Sequence, residues 1–188
     1  LAIVENGQVK LTAAIHIGGR LQVIDENGTI TRLDPAGRTH AARAGFEWTI
    51  GDKVSGDELD IVADRMAKTL IDALIKRPLP KEIERLYLTD PIINMDEVDG
   101  LMFSGGVAEY IYDREKRDFG DMGRRLGHAI AKRTKTGKLP WPLLPPGECI
   151  RATALGASEY SVQLSGNTCY ISSPGKLLPR RNLQVIQP

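Results

Sequence analysis

The sequence predicts a mixed α/β protein in which antiparallel strands come first and helices pack against a sheet. Two hairpin patterns with Asn-Gly turns lie within residues 1–33. A capped amphipathic pattern follows at 55–77, and an apolar run at 101–103 stops just before Gly105 and Gly106. An apolar run that ends in glycines and leads into helix-compatible residues is typical of a strand turning into a helix.

The N-terminal region is predicted to be an antiparallel meander. Its strands are Leu1–Val4, Val9–Ile17, Leu21–Ile24 and Thr29–Leu33. Asn-Gly closes each hairpin because both central residues of a type I′ turn need positive φ.

Two glycines and an arginine, Gly18, Gly19 and Arg20, separate the hairpins. One interpretation is a β-bulge or corner, where glycine is common. The other is a close approach of the backbone to a ligand, with Arg20 reaching a phosphate or carboxylate. The residues alone leave both open.

The clearest helix follows a polar stretch that comes after residues 34–37 and contains His40, Arg43 and Trp48. This stretch is predicted to be a loop or short irregular elements. Ser55 and Glu58 have capping-box spacing, and Pro78 prevents continuation beyond Lys76 and Arg77. The apolar residues recur at three- and four-residue steps, which predicts one buried face. They are Leu59, Val62, Met66, Leu70 and Leu74.

The charged face of this helix has two interpretations. Such a face is ordinarily just solvated, but Asp64, Arg65 or Lys68 could instead face a nucleotide. Helical periodicity does not separate these alternatives.

The second half predicts two more helices, Val107–Tyr112 and Arg124–Lys135. Asp121 precedes the second helix and is interpreted either as its cap or as a ligand contact. The proline-rich residues 139–148 are predicted to be an extended linker, and Thr168–Ser172 are β-like.

Gly105 and Gly106 follow Ser104 at the end of the apolar run. Glycines there supply positive φ for a tight turn, or they remove the Cβ so that a flat ligand can lie on the backbone. A lone glycine pair does not decide between a turn and a binding surface.

Composition excludes several classes of protein. The 188 residues carry 25 basic and 24 acidic side chains, a net charge of +1, which argues against a nucleic-acid partner. Two cysteines make neither a disulfide framework nor a metal knuckle, so a reducing compartment is expected. Without an apolar run of roughly 18 residues or a leader pattern, the sequence predicts a soluble, cytoplasmic protein without a membrane partner. Because it starts at Leu1 with strand-like residues and no methionine, we expect it to be part of a longer protein.

The motifs of common catalytic sites are missing from the sequence. It has no Cys-x-x-Cys or His-x-x-x-His metal spacing, no Gly-x-Ser-x-Gly elbow, no P-loop and no Rossmann fingerprint. Four acidic residues cluster without spacing that suggests a general acid and base pair. They are Asp90, Asp96, Glu97 and Asp99. No catalytic residue and no metal site is therefore predicted.

Six blocks occur in the order found in one family. They are Ile17–Leu21, Phe103–Tyr110, Asp121–Gly123, Ile150–Ala157, Leu164–Thr168 and Leu178–Leu183. On these blocks the chain resembles, over nearly its whole length, the ethanolamine utilisation protein EutA family, the reactivating factors of ethanolamine ammonia-lyase.

The family is similar to the superfamily of actin, sugar kinases and heat-shock chaperone ATPases, which bind adenine nucleotide between two ribonuclease-H-like lobes. The resemblance implies that residues 1–188 are a second, C-terminal lobe with a mixed sheet lacking its first strand. Residues 1–50 and 101–188 would form its core, and 51–100 a helical insertion. Ser104, Gly105, Gly106 and Val107 look like the adenosine motif. Asp64 and Lys68 are the candidates for bordering the adenine, and Gly18, Gly19, Arg20 and Asp121 are further candidates.

The resemblance also implies a chaperone function. The full-length protein would use ATP, with ADP and Mg²⁺, to release damaged cobalamin from ethanolamine ammonia-lyase so that adenosylcobalamin can enter. The resemblance further implies a homo-oligomer and an association with a bacterial microcompartment. The family's two phosphate loops are absent from the printed sequence, so this chain alone is expected to hydrolyse no ATP and to need no cofactor. A protein-interaction module with a structural nucleotide pocket is the alternative, and a small-molecule kinase is a third.

Overall fold

A computed structural model describes residues 1–137, 139–152 and 154–156. Its strands are β1 (Ala2–Glu5), β2 (Gln8–Thr12), β3 (Gln22–Ile24) and β4 (Ile30–Leu33). Its helices are α1 (Pro35–Arg43), α2 (Gly56–Ile75), α3 (Lys81–Glu84), α4 (Gly106–Ile111) and α5 (Gly123–Lys135), with a 3₁₀ turn at Gly19–Leu21. The mixed α/β class is therefore confirmed.

The strands form two separate antiparallel hairpins, β1–β2 and β3–β4. Asn6 and Gly7 have φ of 51° and 76°, the positive values that the predicted Asn-Gly turn requires. In the second hairpin Gly28 has φ 80° but Asn27 does not have positive φ, so the same turn does not recur there. The two hairpins do not join into the predicted meander, and the described residues contain no single mixed sheet. The first hairpin ends at Thr12 because the chain then pairs elsewhere: the His16 amide donates to the Leu86 carbonyl, and the Leu88 amide to the Ala14 carbonyl.

The first helix, α1, occupies part of the stretch predicted to be irregular, and that prediction was wrong. Its signals are local: Asp34 has extended backbone at the N-cap position, and Pro35 has the fixed φ favoured at the first helical residue. The buried residues of α1 are Gly37, His40 and Ala41. Because none of them is a large apolar residue, the sequence does not show the apolar periodicity by which a helix is usually predicted.

The long helix α2 confirms the capping-box prediction. The Glu58 amide donates to the Ser55 hydroxyl, and the Glu58 carboxylate accepts from the Ser55 amide. Every apolar residue predicted for its inner face is buried. The main core joins this face to Leu126 and Ile130 of α5, to Ile30 and Leu33 of β4, and to Trp48.

The predicted strand at 101–103 is absent. Leu101 makes one isolated bridge, to Leu143, while the Phe103 amide donates to the Tyr112 hydroxyl, 3.1 Å away. The backbone groups of this run are therefore satisfied by a side chain and by a neighbouring segment rather than by a sheet.

The proline-rich residues 139–148, predicted to be an extended linker, lie in no helix or strand, and the segment 139–150 is attached to α4 and the residues just after it. The Tyr112 hydroxyl donates to the Leu144 carbonyl at 3.1 Å, and the Arg114 guanidinium to the Gly147 carbonyl at 3.2 Å. The Ile150 amide donates to the Glu109 carboxylate at 3.0 Å.

The chain divides into two units, residues 1–152 and 153–188. Of the second unit the structure describes only 154–156, which are helical. The β-like Thr168–Ser172 and the last two blocks of the family pattern lie outside the described residues. The assignment of 51–100 as an insertion in a C-terminal lobe stays a prediction. Among the described residues, no helix combines the length and apolarity that crossing a membrane requires.

Folding stability is predicted to depend on the protonation of His40. This side chain is fully buried, with Nε2 at 2.7 Å from the His16 carbonyl oxygen and Nδ1 without a partner in the described part of the chain. Burial lowers its pKa, and the nearby charges of Arg43 and His16 lower it further against the opposing hydrogen bond. Because the unfolded chain, with a pKa of about 6.5, binds the proton more readily, stability should fall as the pH drops below about 6.5.

Urea unfolding at about pH 7.5 and pH 5.5 checks this prediction. The free energy of unfolding should decline less between these values in His40→Gln than in the unsubstituted chain. His128→Gln, at an exposed position on α5, is the matched control and should keep the original decline. An unchanged pH dependence in His40→Gln would contradict the assignment.

Candidate functional site

The glycine turn of Gly105 and Gly106 leads directly into α4. Gly105 has φ 85° and ψ −178°, a conformation essentially limited to glycine, and its amide donates to the Cys149 carbonyl at 2.8 Å. A Cβ built on either glycine would meet no atom within 4 Å. The turn therefore presents bare, open backbone, which is what a flat ligand requires.

The other glycine pair lies beside this turn. A Cβ on Gly19 would come within 2.7 Å of the Gly123 Cα and 3.3 Å of the Val107 side chain, whereas one on Gly18 would meet nothing. The Gly19 carbonyl also accepts the Met122 amide at 2.8 Å. Three segments that are distant in sequence thus converge at Gly19, Val107 and Gly123.

Asp121 contributes to the same junction. Its carboxylate accepts the Gly123 amide at 2.7 Å, at the first residue of α5, and it lies one position before the N-cap residue Met122. This is the helix-terminus role that the sequence suggested, shifted by one residue. Ser104 and Arg20 are exposed, and their side chains make no hydrogen bond or ion pair within the described residues.

Tyr110 lies under this junction, close to several carboxylates. Burial raises the pKa of its phenol, and the charges of Asp121, Glu115 and Asp118 raise it further. Its hydroxyl donates to the Arg117 carbonyl at 2.8 Å, while hydrogen bonds from Arg117 lower the pKa of Glu115 to about 2. Tyr110 therefore remains a protonated hydrogen-bond donor rather than a base.

The two candidates on α2 lie elsewhere. Asp64 accepts two hydrogen bonds from Arg133 of α5, at 2.6 and 2.7 Å, and lines a cleft of about 350 Å³ whose described lining residues all come from α2 and α5. Lys68 forms an ion pair with Asp72, one turn along the helix, at 2.5 Å. Their role beside an adenine stays a prediction, since the structure places both in ion pairs.

A family model, described as ethanolamine utilisation protein EutA, matches residues 1–188. The chain belongs to the EutA family. Two relatives are named ethanolamine ammonia-lyase reactivase EutA, one from Escherichia coli strain K12 and one from Salmonella typhimurium strain LT2. Each is 27% identical over 192 residues, which cover 100% of this chain and 39% of the relative. The EutA-family chain thus spans about two fifths of the length of these relatives, and the search of solved structures found no match.

Sequence reasoning on this EutA-family chain missed the glycines that permit close packing. A Cβ on Gly127 would lie 2.4 Å from the Tyr110 Cβ and 3.0 Å from the Val107 carbonyl oxygen, so this glycine lets α5 approach α4. The available signal was a pair of glycines four residues apart, Gly123 and Gly127, on one face of an amphipathic helix.

The described part of the EutA-family chain offers bare backbone and helix-capping groups rather than reactive side chains. Within it, no three His, Cys, Asp or Glu side chains come together as metal ligands. Cys149 is buried, and its carbonyl rather than its thiol faces the glycine turn.

Proposed function

We propose that this chain supplies the adenosine-contacting part of a nucleotide-dependent reactivating factor for ethanolamine ammonia-lyase. The observation that carries the proposal is the open backbone of Gly105 and Gly106, bordered by Val107 and the second glycine pair, in a chain of the EutA family. Two relatives named as reactivases of that lyase support the partner.

The proposal extends to an actin-like ATPase fold and to the work of the whole protein. ATP binding would drive the release of damaged cobalamin from the lyase, so that adenosylcobalamin can take its place. The factor would act in the cytoplasm, in association with a bacterial microcompartment where one is present. This is chaperone work, in which binding energy changes the conformation of a partner.

The residues present fit only part of a nucleotide. Bare glycine backbone suits the flat adenosine. Each glycine pair also has an exposed polar neighbour in the sequence, Ser104 before Gly105 and Arg20 after Gly19. They do not fit Mg²⁺, because the described residues hold no cluster of carboxylates that could bind it. Phosphoryl transfer depends on a phosphate cradle and bound cations, so we assign no hydrolytic step to this chain.

We expect the isolated chain to bind ATP and ADP weakly and to hydrolyse no ATP. Without a phosphate cradle, the contacts to adenosine alone leave most of the binding energy of a nucleotide unused. Isothermal titration calorimetry checks this, together with a phosphate-release assay. A dissociation constant in the low micromolar range for either nucleotide would contradict it.

In the full-length protein, Gly106→Asp should weaken ATP binding and slow lyase reactivation by about tenfold or more. The new carboxylate would occupy the open face of the turn and repel the phosphates of a bound nucleotide. Gly56→Asp is the matched control, because Gly56 is likewise the exposed first residue of a helix, α2. It should leave both activities unchanged.

The second candidate is an interaction module whose nucleotide pocket is only structural. It is favoured by two hydrogen bonds within the site, from the Gly105 amide to the Cys149 carbonyl and from the Gly123 amide to the Asp121 carboxylate, which occupy polar groups that a ligand would otherwise use. Normal reactivation by Gly106→Asp, with ATP binding lost, would select this function over the first.

A further inference from the structure

The exposed side chains of helix α5 are arginine, lysine and histidine along its whole length. Its exposed residues, here called the basic stripe, are Arg124, His128, Lys132 and Lys135. They recur at steps of three or four residues and so form one line along the helix. The helix contains no acidic residue.

The basic stripe is only partly neutralised within the described part of the chain, where Arg124, His128 and Lys132 line the cleft that also contains Asp60 and Asp64. The adjacent row of α5, Arg125 and Arg133, pairs with Asp60 and Asp64 of α2. In the stripe itself, only Arg124 has an ion pair, with Asp118 at 3.3 Å. Both groups are substantially exposed, at 44% and 40%, so the pair is worth little and is readily exchanged. Lys132 and Lys135 form no ion pair in the described residues.

The complementary surface is the loop of residues 90–99, here called the acidic loop. Its four acidic side chains are exposed and unpaired among the described residues: Asp90, Asp96, Glu97 and Asp99. The loop is held in place by Arg77, whose guanidinium donates to the carbonyls of Ile93 at 2.7 Å and Ile92 at 2.8 Å. Ile93 stands among the carboxylates with 70% of its surface exposed.

The two surfaces form no ion pair with each other within the described part of the chain. Asp60 and Asp64 pair in order with Arg125 and Arg133, so α5 runs parallel to the first half of α2. The acidic loop is anchored by Arg77 beyond the far end of α2. Asp96 of the loop and Arg77 line a cavity with Pro140 and Trp141, which follow α5, and no side chain of the basic stripe is among its described lining residues.

We propose that the basic stripe of one copy of this chain binds the acidic loop of a second copy. Three basic side chains, Arg124, Lys132 and Lys135, then face four carboxylates, and the near balance of 25 basic and 24 acidic residues means that the two copies do not repel each other as wholes. After pairing, one copy keeps a free acidic loop and the other a free basic stripe, so the contact is head to tail. Further copies can therefore join, and the assembly grows as the protein concentration rises. The contact is independent of nucleotide binding.

Sedimentation velocity on charge-reversed variants tests this contact. The stripe variant is Lys132→Glu with Lys135→Glu, and the loop variant is Asp96→Lys with Glu97→Lys. At about 0.05 M salt the unsubstituted chain should self-associate, and at about 0.5 M salt it should be a monomer. Each variant alone should be a monomer, a mixture of the two should associate, and a chain carrying all four substitutions should associate again.

The control is Arg38→Glu with Lys53→Glu, which changes the net charge as the stripe variant does but at exposed positions elsewhere. It should still self-associate. A chain that stays monomeric at low salt, or a mixture of the two variants that does not associate, would overturn the proposal. If the unsubstituted chain is monomeric and the stripe variant of the full-length protein loses lyase binding, the occupant is the lyase and the second copy is wrong.

Discussion

Gly19→Ala is expected to destabilise the chain by about 1–3 kcal/mol, although alanine usually replaces glycine without harm. The new methyl group would lie 2.7 Å from the Cα and 2.9 Å from the amide nitrogen of Gly123. Both are backbone atoms at the start of α5, so no side-chain rotation relieves the contact. Either α5 moves away from the 3₁₀ turn at Gly19–Leu21, or the turn is distorted.

Gly18→Ala is the matched control, one residue earlier in the chain. Gly18 has extended backbone, with φ −173°, and a Cβ there meets no atom within 4 Å. The substitution should be neutral, or stabilising by up to about 1 kcal/mol through a less flexible unfolded state. Urea denaturation followed by the fluorescence of the buried Trp48 measures both. Equal stabilities of the two variants would show that Gly19 does not hold the three site segments together.

Met66→Ala is expected to have the larger effect, a loss of about 2–5 kcal/mol. Met66 lies in the middle of α2, has no exposed surface and belongs to the core that joins α2 to α5 and β4. Truncation leaves a cavity between elements that are held by their own backbone hydrogen bonds and so collapse only partly. The midpoint of urea unfolding should fall with little change in the slope.

Ile61→Ala tests whether the loss depends on burial rather than on helix α2 itself. Ile61 is on the same helix with 51% of its surface exposed, so its truncation should change stability by well under half as much. If Ile61→Ala were as destabilising as Met66→Ala, the outer face of α2 would be covered in solution, and the assignment of its core face would be wrong.

Local signals predicted local structure well in this chain. The Asn6-Gly7 turn and the Ser55–Glu58 capping box depend only on residues within four positions of each other, and both are present. The missing meander and the missing strand at 101–103 depend on which distant segment supplies the hydrogen bonds. For residues 101–103 the partners are the Tyr112 hydroxyl, the Pro142 carbonyl and the Leu144 amide, and the residues of the run itself do not indicate them.

The candidate site shows the same division. The sequence singled out Gly19, Gly105 and Asp121 individually, from turn and capping chemistry. That Gly19 and Val107 meet at Gly123 is a property of helix packing, which requires knowing that α5 lies against α4. The periodicity of α2 likewise places Asp64 on the charged face of the helix. It does not indicate that Arg133, in a helix far along the sequence, contacts this carboxylate.

The proline-rich segment competes with any ligand of the glycine turn for the amide of Gly105. An amide donates one good hydrogen bond, and that of Gly105 is already given to the Cys149 carbonyl, at the end of a segment that Tyr112, Arg114 and Glu109 also hold. A ligand that accepts from the Gly105 amide must first displace this carbonyl. Its observed affinity would then be the intrinsic affinity multiplied by the fraction of molecules in which the segment has opened. Residues 139–150 would in this way set the occupancy of the turn.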